Sequence, residues 1–547
     1  MLPAVAAPAS HTMQDIAHHY LSRIAQYPGD FDTLARRMHD FWTRPLPIAT
    51  ACSGTDAVAK WMLRLDDVMR EMLGPSGRHR SAQAPFFSQA FACESDVEKI
   101  RFHADQFGRS GVLFRDVRDL GSQVGAWDEN SGMLTMVPWV CLLIVGFSCK
   151  DASLQNSRKR DYDDVIRTGG GTTGSTWHGV LGYLSSVRPW AVLAENVQGL
   201  LSQVPVMQEQ VVALGYKFHV VRLNAQDYCL PQKRPRVFFL MVHDIGEPVP
   251  FEDIERIVHL LRTQPINIDD LLKKAGTREH GSATGYGDSG VRVSRERVGA
   301  KDKWVDHHRQ VFGSHDLPFV IPTDSELGST APVGLLELTL RERSIVQFWT
   351  LRGCVSGFLD VSEALERLQP VHQHCISCIT GSAAHFDFTA QKLVPLETTW
   401  DVQGLDWNAW ADLARYPPRL LKDLAANAFS IPTIAAVLLA MFIALPWPSS
   451  ADEHRLWMTR GASGPPPTSP GGRSESDCAG VREFGRSGSA GGSDDGCDDT
   501  TIGCGRDDAR IRDSPEVRSP VGGSPADAGD EAFETDMRDL KMLASLG

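Results

Sequence analysis

Positive charge is scarce in this chain. Its 547 residues hold 55 Lys and Arg against 68 Asp and Glu, a formal net charge of −13. That excludes a protein basic over its whole surface, as many nucleic-acid binders are, but not a local basic cleft. The deficit is uneven: residues 451–547 carry 11 Lys and Arg against 19 Asp and Glu, so this tail alone accounts for −8. Cysteine is sparse at 11 residues, and Met1 to Ser10 lacks the basic start and apolar core of a secretory signal. Reduced thiols inside a cell are therefore expected rather than a disulfide framework. Long hydrophobic runs are nearly missing. The exception, Ala428 to Trp447, has only Ser430 and Thr433 as polar side chains over a length that suits a bilayer. Pro432 near its start and the lack of flanking Lys and Arg argue against a membrane span. There is no internal repeat.

What is present is an alternation of short apolar runs and helical patterns. Residues 12–45 read as helical, with Ile16, Tyr20, Ile24 and Tyr27 spaced along one face. Strands are expected at Leu46–Ala51, Gln89–Cys93, Val112–Phe114, Trp139–Val145, Trp190–Leu193, Tyr216–Leu223 and Val237–Val242. Seven strands separated by helices describe a doubly wound α/β sheet. From Gly246 to about Pro370 the pattern weakens, and it returns from Leu393, with Asp423–Leu445 reading as one long helix. Beyond Pro448 the Gly, Ser, Pro and Asp content leaves too little apolar surface for order, although Thr535 to Leu546 suits a short helix.

The chemistry-bearing residues fall at strand ends, where open α/β sheets place their ligands. Cys149 lies in Val145-Gly146-Phe147-Ser148-Cys149-Lys150-Asp151-Ala152-Ser153, just past the fourth strand. Glu195 and Asn196 follow the fifth, and Gln232-Lys233-Arg234-Pro235-Arg236 precedes the last. A lone cysteine there usually packs as a small hydrophobe, and a lone acid at a strand end is often a turn residue. Together, a thiol, a carboxyl and arginines supply a nucleophile, an acid and an electrostatic clamp. In this order the three motifs resemble those of the C5-cytosine DNA methyltransferases, over about residues 46–447.

The resemblance implies a Rossmann-like S-adenosylmethionine-dependent methyltransferase sheet, of the α/β class, with a second, smaller target-recognition domain. The expected division is an N-terminal helical extension (1–45), the catalytic and cofactor-binding domain (46–245) and a target-recognition domain (246–390). A segment returning to the catalytic domain (391–448) and a disordered acidic tail (449–547) complete it. Methyl transfer from S-adenosyl-L-methionine to carbon 5 of a flipped-out cytosine in double-stranded DNA is implied. Cys149 would be the nucleophile, Glu195 the partner of the ring N3, and Arg234 and Arg236 the support for base and adduct. Ser153, Asn196 and Gln232 would line the substrate. Two alternatives stay open: the same residues acting on tRNA cytosine, and an inactive DNA-binding form. A nuclear location is expected for a eukaryotic source, a cytoplasmic one otherwise.

Cofactor residues follow the same resemblance. Ser53, Gly54 and Thr55 lie in the loop after the first strand, where Cys52, Gly54 and Asp56 take the places of a Phe-x-Gly-x-Gly motif. Glu94 fits the acid that binds the ribose hydroxyls and Asp116 the one facing the adenine amino group. Asn427 lies in Ala426-Asn427-Ala428, against the usual Gly-Asn-Ala, and Val402-Gln403-Gly404 resembles the end of a structural motif before it. Ser148 and Lys150 replace the usual Pro and Gln beside the nucleophile, and Lys150 is expected to favour the thiolate through its charge. Between the first two motifs, Leu154 to Thr176 reads as a basic, Gly-rich loop able to close over a flipped base. His372, His374, Cys375 and Cys378 are metal-ligand types without a second spaced pair, so no metal is expected.

Overall fold

The structure, a computed structural model, describes residues 12–52, 54–73, 85–153, 164–279, 301–321 and 333–448. Five parallel strands form its centre: β1 (Leu46–Ala51), β2 (Phe87–Cys93), β3 (Val112–Phe114), β6 (Leu142–Val145) and β7 (Ala191–Val197). A hairpin of β4 (Ala126–Asp128) and β5 (Met133–Thr135) extends the β3 edge. On the other side β9 (Pro235–His243) runs antiparallel between β7 and β8 (Tyr216–Asn224). The order is β5-β4-β3-β2-β1-β6-β7-β9-β8. All seven expected strands are present. The hairpin is the addition: its strands have three residues each and expose Trp127, Met133 and Leu134, so no apolar period marks them.

The central strands are apolar throughout because both faces are covered. Leu142 and Ile144 of β6 enter one core while Leu143 and Val145 enter the other. Ala191 and Leu193 divide from Val192 and Ala194 of β7 in the same way. The first core is closed by α1 (Met13–Ile24), α2 (Pro28–Thr43) and α3 (Ala57–Leu73), the second by α6 (Gly171–Ser186) and α7 (Val204–Ala213). The helical stretch expected over 12–45 is broken by Pro28, which lacks an amide hydrogen and starts a new helix at its first turn.

The long helix expected at Asp423–Leu445 is also two, Pro418–Asn427 and Ile431–Ala444. Gln403, completely buried, holds the break. Its Nε2 donates to the Ala425 carbonyl at 2.8 Å, and its own carbonyl accepts from the Ile431 amide at 3.1 Å. Gly404, at φ +74°, lets this segment pass the second helix, because a Cβ there would lie 2.7 Å from Pro432 Cδ. Residues 431–443 are buried without exception, so the membrane-like composition belongs to a core helix.

A second, antiparallel sheet consists of β10 (Phe358–Asp360), β11 (His385–Asp387) and β12 (Lys392–Leu393). Its own apolar cluster gathers Phe312, Ile345, Phe348, Leu359, Phe386 and Phe388. It reaches the main sheet through the Ile376 backbone, which accepts from the Lys233 amide and donates to the Pro231 carbonyl, both at 2.9 Å.

Candidate active site

The site is built at the carboxyl ends of β6 and β7. These strands pair in parallel with Val145 beside Ala194, so the loop bearing Cys149 and the side chain of Glu195 leave the sheet at the same end. Gly146 permits the loop to turn against Phe429, since a Cβ there would lie 3.1 Å from the ring. The loop is anchored to the start of α6. Thr176 Oγ1 accepts from the Ser148 amide at 3.2 Å, and Thr173 Oγ1 accepts from the Asp151 amide at 3.0 Å. In return Asp151 Oδ2 accepts from the Thr173 amide at 2.7 Å, a carboxylate placed on a helix N-terminus. The Cys149 carbonyl accepts from the Ala152 and Ser153 amides at 3.1 and 2.9 Å, which closes the loop behind the thiol. Cys149 itself is half-buried.

Glu195, Arg236 and Asn196 complete the centre. On antiparallel β9, Arg236 pairs with Val197, two residues beyond Glu195 and therefore on the same face. Arg236 Nε accordingly lies 2.9 Å from Glu195 Oε1 in a pair that is mostly shielded from solvent. Asn196, pointing the other way and buried, donates from Nδ2 to the Phe147 carbonyl at 2.9 Å, tying β7 to the nucleophile loop. Burial pushes the Cys149 thiol above its ordinary value; Arg236 and Arg234 pull against that shift, and Glu195 adds to it. Lys150, expected to favour the thiolate, is exposed, and Arg236 and Arg234 pull the thiol down.

The two arginines have different environments. Arg234 is buried and its guanidinium is taken up by carbonyls: Nη2 donates to Ala426 and Ala428 at 3.0 Å each, and Nη1 to Ile379 at 3.3 Å. It clamps the main sheet to the C-terminal helices, leaving Arg236 as the arginine paired with Glu195. Gln232 is completely buried, with no partner for its side-chain amide among the described residues. It meets the Ile376 segment through a backbone bridge rather than lying at an open face.

A second cluster lies at the ends of β1, β2 and β3. Glu94 Oε2 accepts from the Gly54 amide at 2.8 Å, and Oε1 from the Ser95 and Asp96 amides at 2.9 and 3.0 Å. Asp116, half-buried, accepts from the Arg118 amide at 2.9 Å and from its guanidinium; burial opposes ionisation, but Arg118 holds the carboxyl below its usual range. Asn427 is exposed and donates to the Asp423 carbonyl at 2.8 Å, while Asp423 meets Lys99 at 2.6 Å. Ser53 lies outside the described residues, and Thr55 is buried. Cys52, Gly54 and Asp56 all have positive φ, at 53°, 54° and 52°. Asp56 holds its strained position by accepting from Gln89 Nε2 at 2.6 Å and sitting 3.1 Å from His103 Nε2. The space beside Gly54 is open, with nothing within 4 Å of an added Cβ. Glu94 and Asp116 follow the ends of the adjacent parallel strands β2 and β3.

The expected closing loop is placed only in part. Residues 154–163 lie outside the described residues; beyond them α5 (Val165–Thr168) is helical, and Gly169 to Gly171 lead directly into α6. Gly171 has φ +62°, and a Cβ there would fall 2.4 Å from Asp151 Oδ2, so this glycine is demanded by the nucleophile loop. The residues missed by motif reading, Asp151, Thr172, Thr173 and Phe429, act through local bonds or packing. Among the described residues no group of three metal-ligand side chains occurs, and Cys378 lies on the arginines instead.

The chain thus has a mixed α/β sheet with an antiparallel strand set in beside its edge, and a thiol and a carboxylate leave neighbouring strands at one end of it. Residues 83–312 match the family model of the C-5 cytosine-specific DNA methylases. It is similar to the type II methyltransferase M.DsaV of Dactylococcopsis salina, 29% identical over 143 residues, which are 25% of this chain and 37% of that protein. With the type II methyltransferase M.HhaI of Haemophilus parahaemolyticus it shares 28% over 122 residues, 20% of this chain and 35% of the relative. The aligned stretches thus span little more than a third of these relatives' lengths. The crystal structure of S. pombe Dnmt2 methyltransferase superposes with a TM-score of 0.40 at 12% identity, over 73% of this chain and 98% of that one.

Proposed function

We propose that the chain is a DNA (cytosine-5)-methyltransferase using S-adenosyl-L-methionine. The observation that carries this reading is the convergence of Cys149 and Glu195 from paired parallel strands, with Arg236 bound to Glu195 and acting electrostatically on the thiol. Carbon 5 of cytosine is a poor nucleophile until carbon 6 is attacked. Cys149, as thiolate, adds to carbon 6, and the displaced electron pair makes carbon 5 nucleophilic while charge moves toward N3. Glu195, held by Arg236, meets that nitrogen. Bound S-adenosylmethionine would supply an electrophilic methyl group and leave as S-adenosylhomocysteine, and Glu94 and Asp116 would hold its ribose and adenine. Loss of the carbon 5 proton to water re-forms the carbon 5–carbon 6 double bond and expels Cys149 as a thiolate, which restores the aromatic ring. Asn196 and Asp151 keep the loop in position during the cycle. The unit around β10–β12 is proposed to take the target strand, because it meets the main sheet beside Arg234 and Arg236.

The test is transfer of labelled methyl groups to double-stranded DNA and to tRNA side by side. Label in DNA cytosine that disappears in Cys149→Ala is expected. Label in tRNA alone, or in neither, would overturn the proposal.

A further inference from the structure

Outside the residues given a role above, one side chain stands against both arginines of the site. Cys378 follows the Ile376 bridge and is half-buried. Its Sγ accepts from Arg234 Nη1 at 3.6 Å and from Arg236 Nη2 at 3.5 Å, and the Ile379 carbonyl lies 3.7 Å from it. The remaining partners of Arg234 are neutral carbonyls, and Arg236 has the Glu195 carboxylate and the Pro235 carbonyl. Of these two shielded guanidiniums only Arg236 has a carboxylate partner among the described residues, and like charges in such surroundings repel strongly. Burial, followed by Arg236, pulls Arg234 below the usual arginine range. A second anion at the sulfur would balance the pair.

We propose that Cys378 is a positioning residue for methyl transfer: as a thiolate shared by Arg234 and Arg236, it fixes the Arg236 guanidinium against Glu195. The inference rests on the methyltransferase reading given above. Cys378 touches no reacting atom and makes no covalent bond; it acts through Arg236. Burial opposes its ionisation, yet Arg236 and Arg234 outweigh burial and bring the thiol below its ordinary value. The contrast within the chain is sharp. Burial pushes Cys52, Cys93, Cys141, Cys149, Cys229, Cys354 and Cys375 upward. Cys378 is the one thiol among the described residues shifted the other way.

The experiment uses the full chain and two variants, Cys378→Ser, which keeps the size and loses the charge, and Cys378→Asp, which restores an anion. At neutral pH the ultraviolet absorbance of one thiolate is expected in the wild type and absent in Cys378→Ser. In transfer assays Cys378→Ser is expected to lose about 10- to 100-fold in kcat, the worth of a hydrogen bond to a charged group, with KM for S-adenosylmethionine unchanged. Cys378→Asp should recover most of that loss. Superimposable wild-type and Cys378→Ser spectra would overturn the proposal, as would equal kcat in the two proteins. A thiolate signal in a wild-type protein that transfers no methyl group would defeat the methyltransferase reading, and this positioning role with it. Absence of the signal would defeat the Cys378 assignment alone.

Discussion

Arg236 Nε lies 2.9 Å from Glu195 Oε1 because the two residues are diagonal neighbours across the antiparallel pairing of β7 and β9. Each side chain is only 13% exposed, so the pair is screened little by solvent. The short distance follows from register, not from a flexible loop finding its partner, and it makes the carboxyl's orientation a property of the sheet.

Removing one member of such a pair strands the other. Arg236→Ala is expected to destabilise the fold by about 3–5 kcal/mol, the usual consequence of leaving a buried charge uncompensated. Arg236→Lys, which keeps the charge but loses the planar fork, should fall between this variant and the wild type. Urea unfolding of the three proteins checks the order.

The pH dependence of the nucleophile has a definite sign. Burial raises the Cys149 thiol above its ordinary value, so little thiolate exists at neutral pH. The rate of attack on cytosine should climb with pH, about tenfold per unit until the thiol ionises. Lys150→Ala should leave that limb in place, since Lys150 is exposed and the opposing cations are Arg236 and Arg234. A rate flat across neutral pH, or a limb displaced in Lys150→Ala, would contradict this assignment.

Asn196→Ala removes the donor to the Phe147 carbonyl. Stability should fall by about 1–3 kcal/mol, the range for leaving a buried polar group unpaired. Transfer should fall further than that stability loss explains, because the same bond sets the nucleophile loop. Thermal melting together with single-turnover kinetics separates the two effects.

Two glycines of α6 give an internal control. Gly171→Ala meets both a positive φ and the Asp151 carboxylate, whereas an alanine at Gly182 finds its nearest neighbour, Gly121 Cα, at 3.8 Å. Gly171→Ala should lower both melting temperature and activity. Gly182→Ala should be neutral or slightly stabilising through helix propensity. Circular dichroism melts decide it.

Acid should weaken the fold through three histidines. Burial, the largest cause in each case, lowers His19, His243 and His308 from 6.5 to about 4. Between these values the unfolded chain binds more protons than the folded one. Their contribution is therefore full above pH 6.5 and is lost as pH falls toward 4. Melting temperature measured from pH 7.5 down to 4.5 should fall, and replacing His243 by Phe should flatten the slope.

The seven main strands were legible because central parallel strands are apolar on both faces and need no period beyond their length. Cys149, Glu195 and Arg236 were legible as an ordered set, and their strands bring them to one end of the sheet. The β4–β5 hairpin was not, being short and solvent-exposed. Nor was the separation of Arg234 from Arg236. Two arginines one residue apart look alike in sequence, and only the carbonyls of Ala426 and Ala428, nearly 200 positions later, distinguish them. Cys378 is by type a metal ligand in the sequence, but the contacts that define its surroundings lie 144 and 142 positions away along the chain.

The central claim is that Cys149 bonds to a cytosine ring held against Glu195. Incubation with S-adenosylmethionine and DNA containing 5-fluorocytosine, whose fluorine cannot leave as a proton does, tests it most directly. A protein–DNA adduct resistant to denaturant, mapped by mass spectrometry to Cys149 and absent in Cys149→Ala, is the result predicted. No adduct, or an equal adduct in Cys149→Ala, would contradict the account.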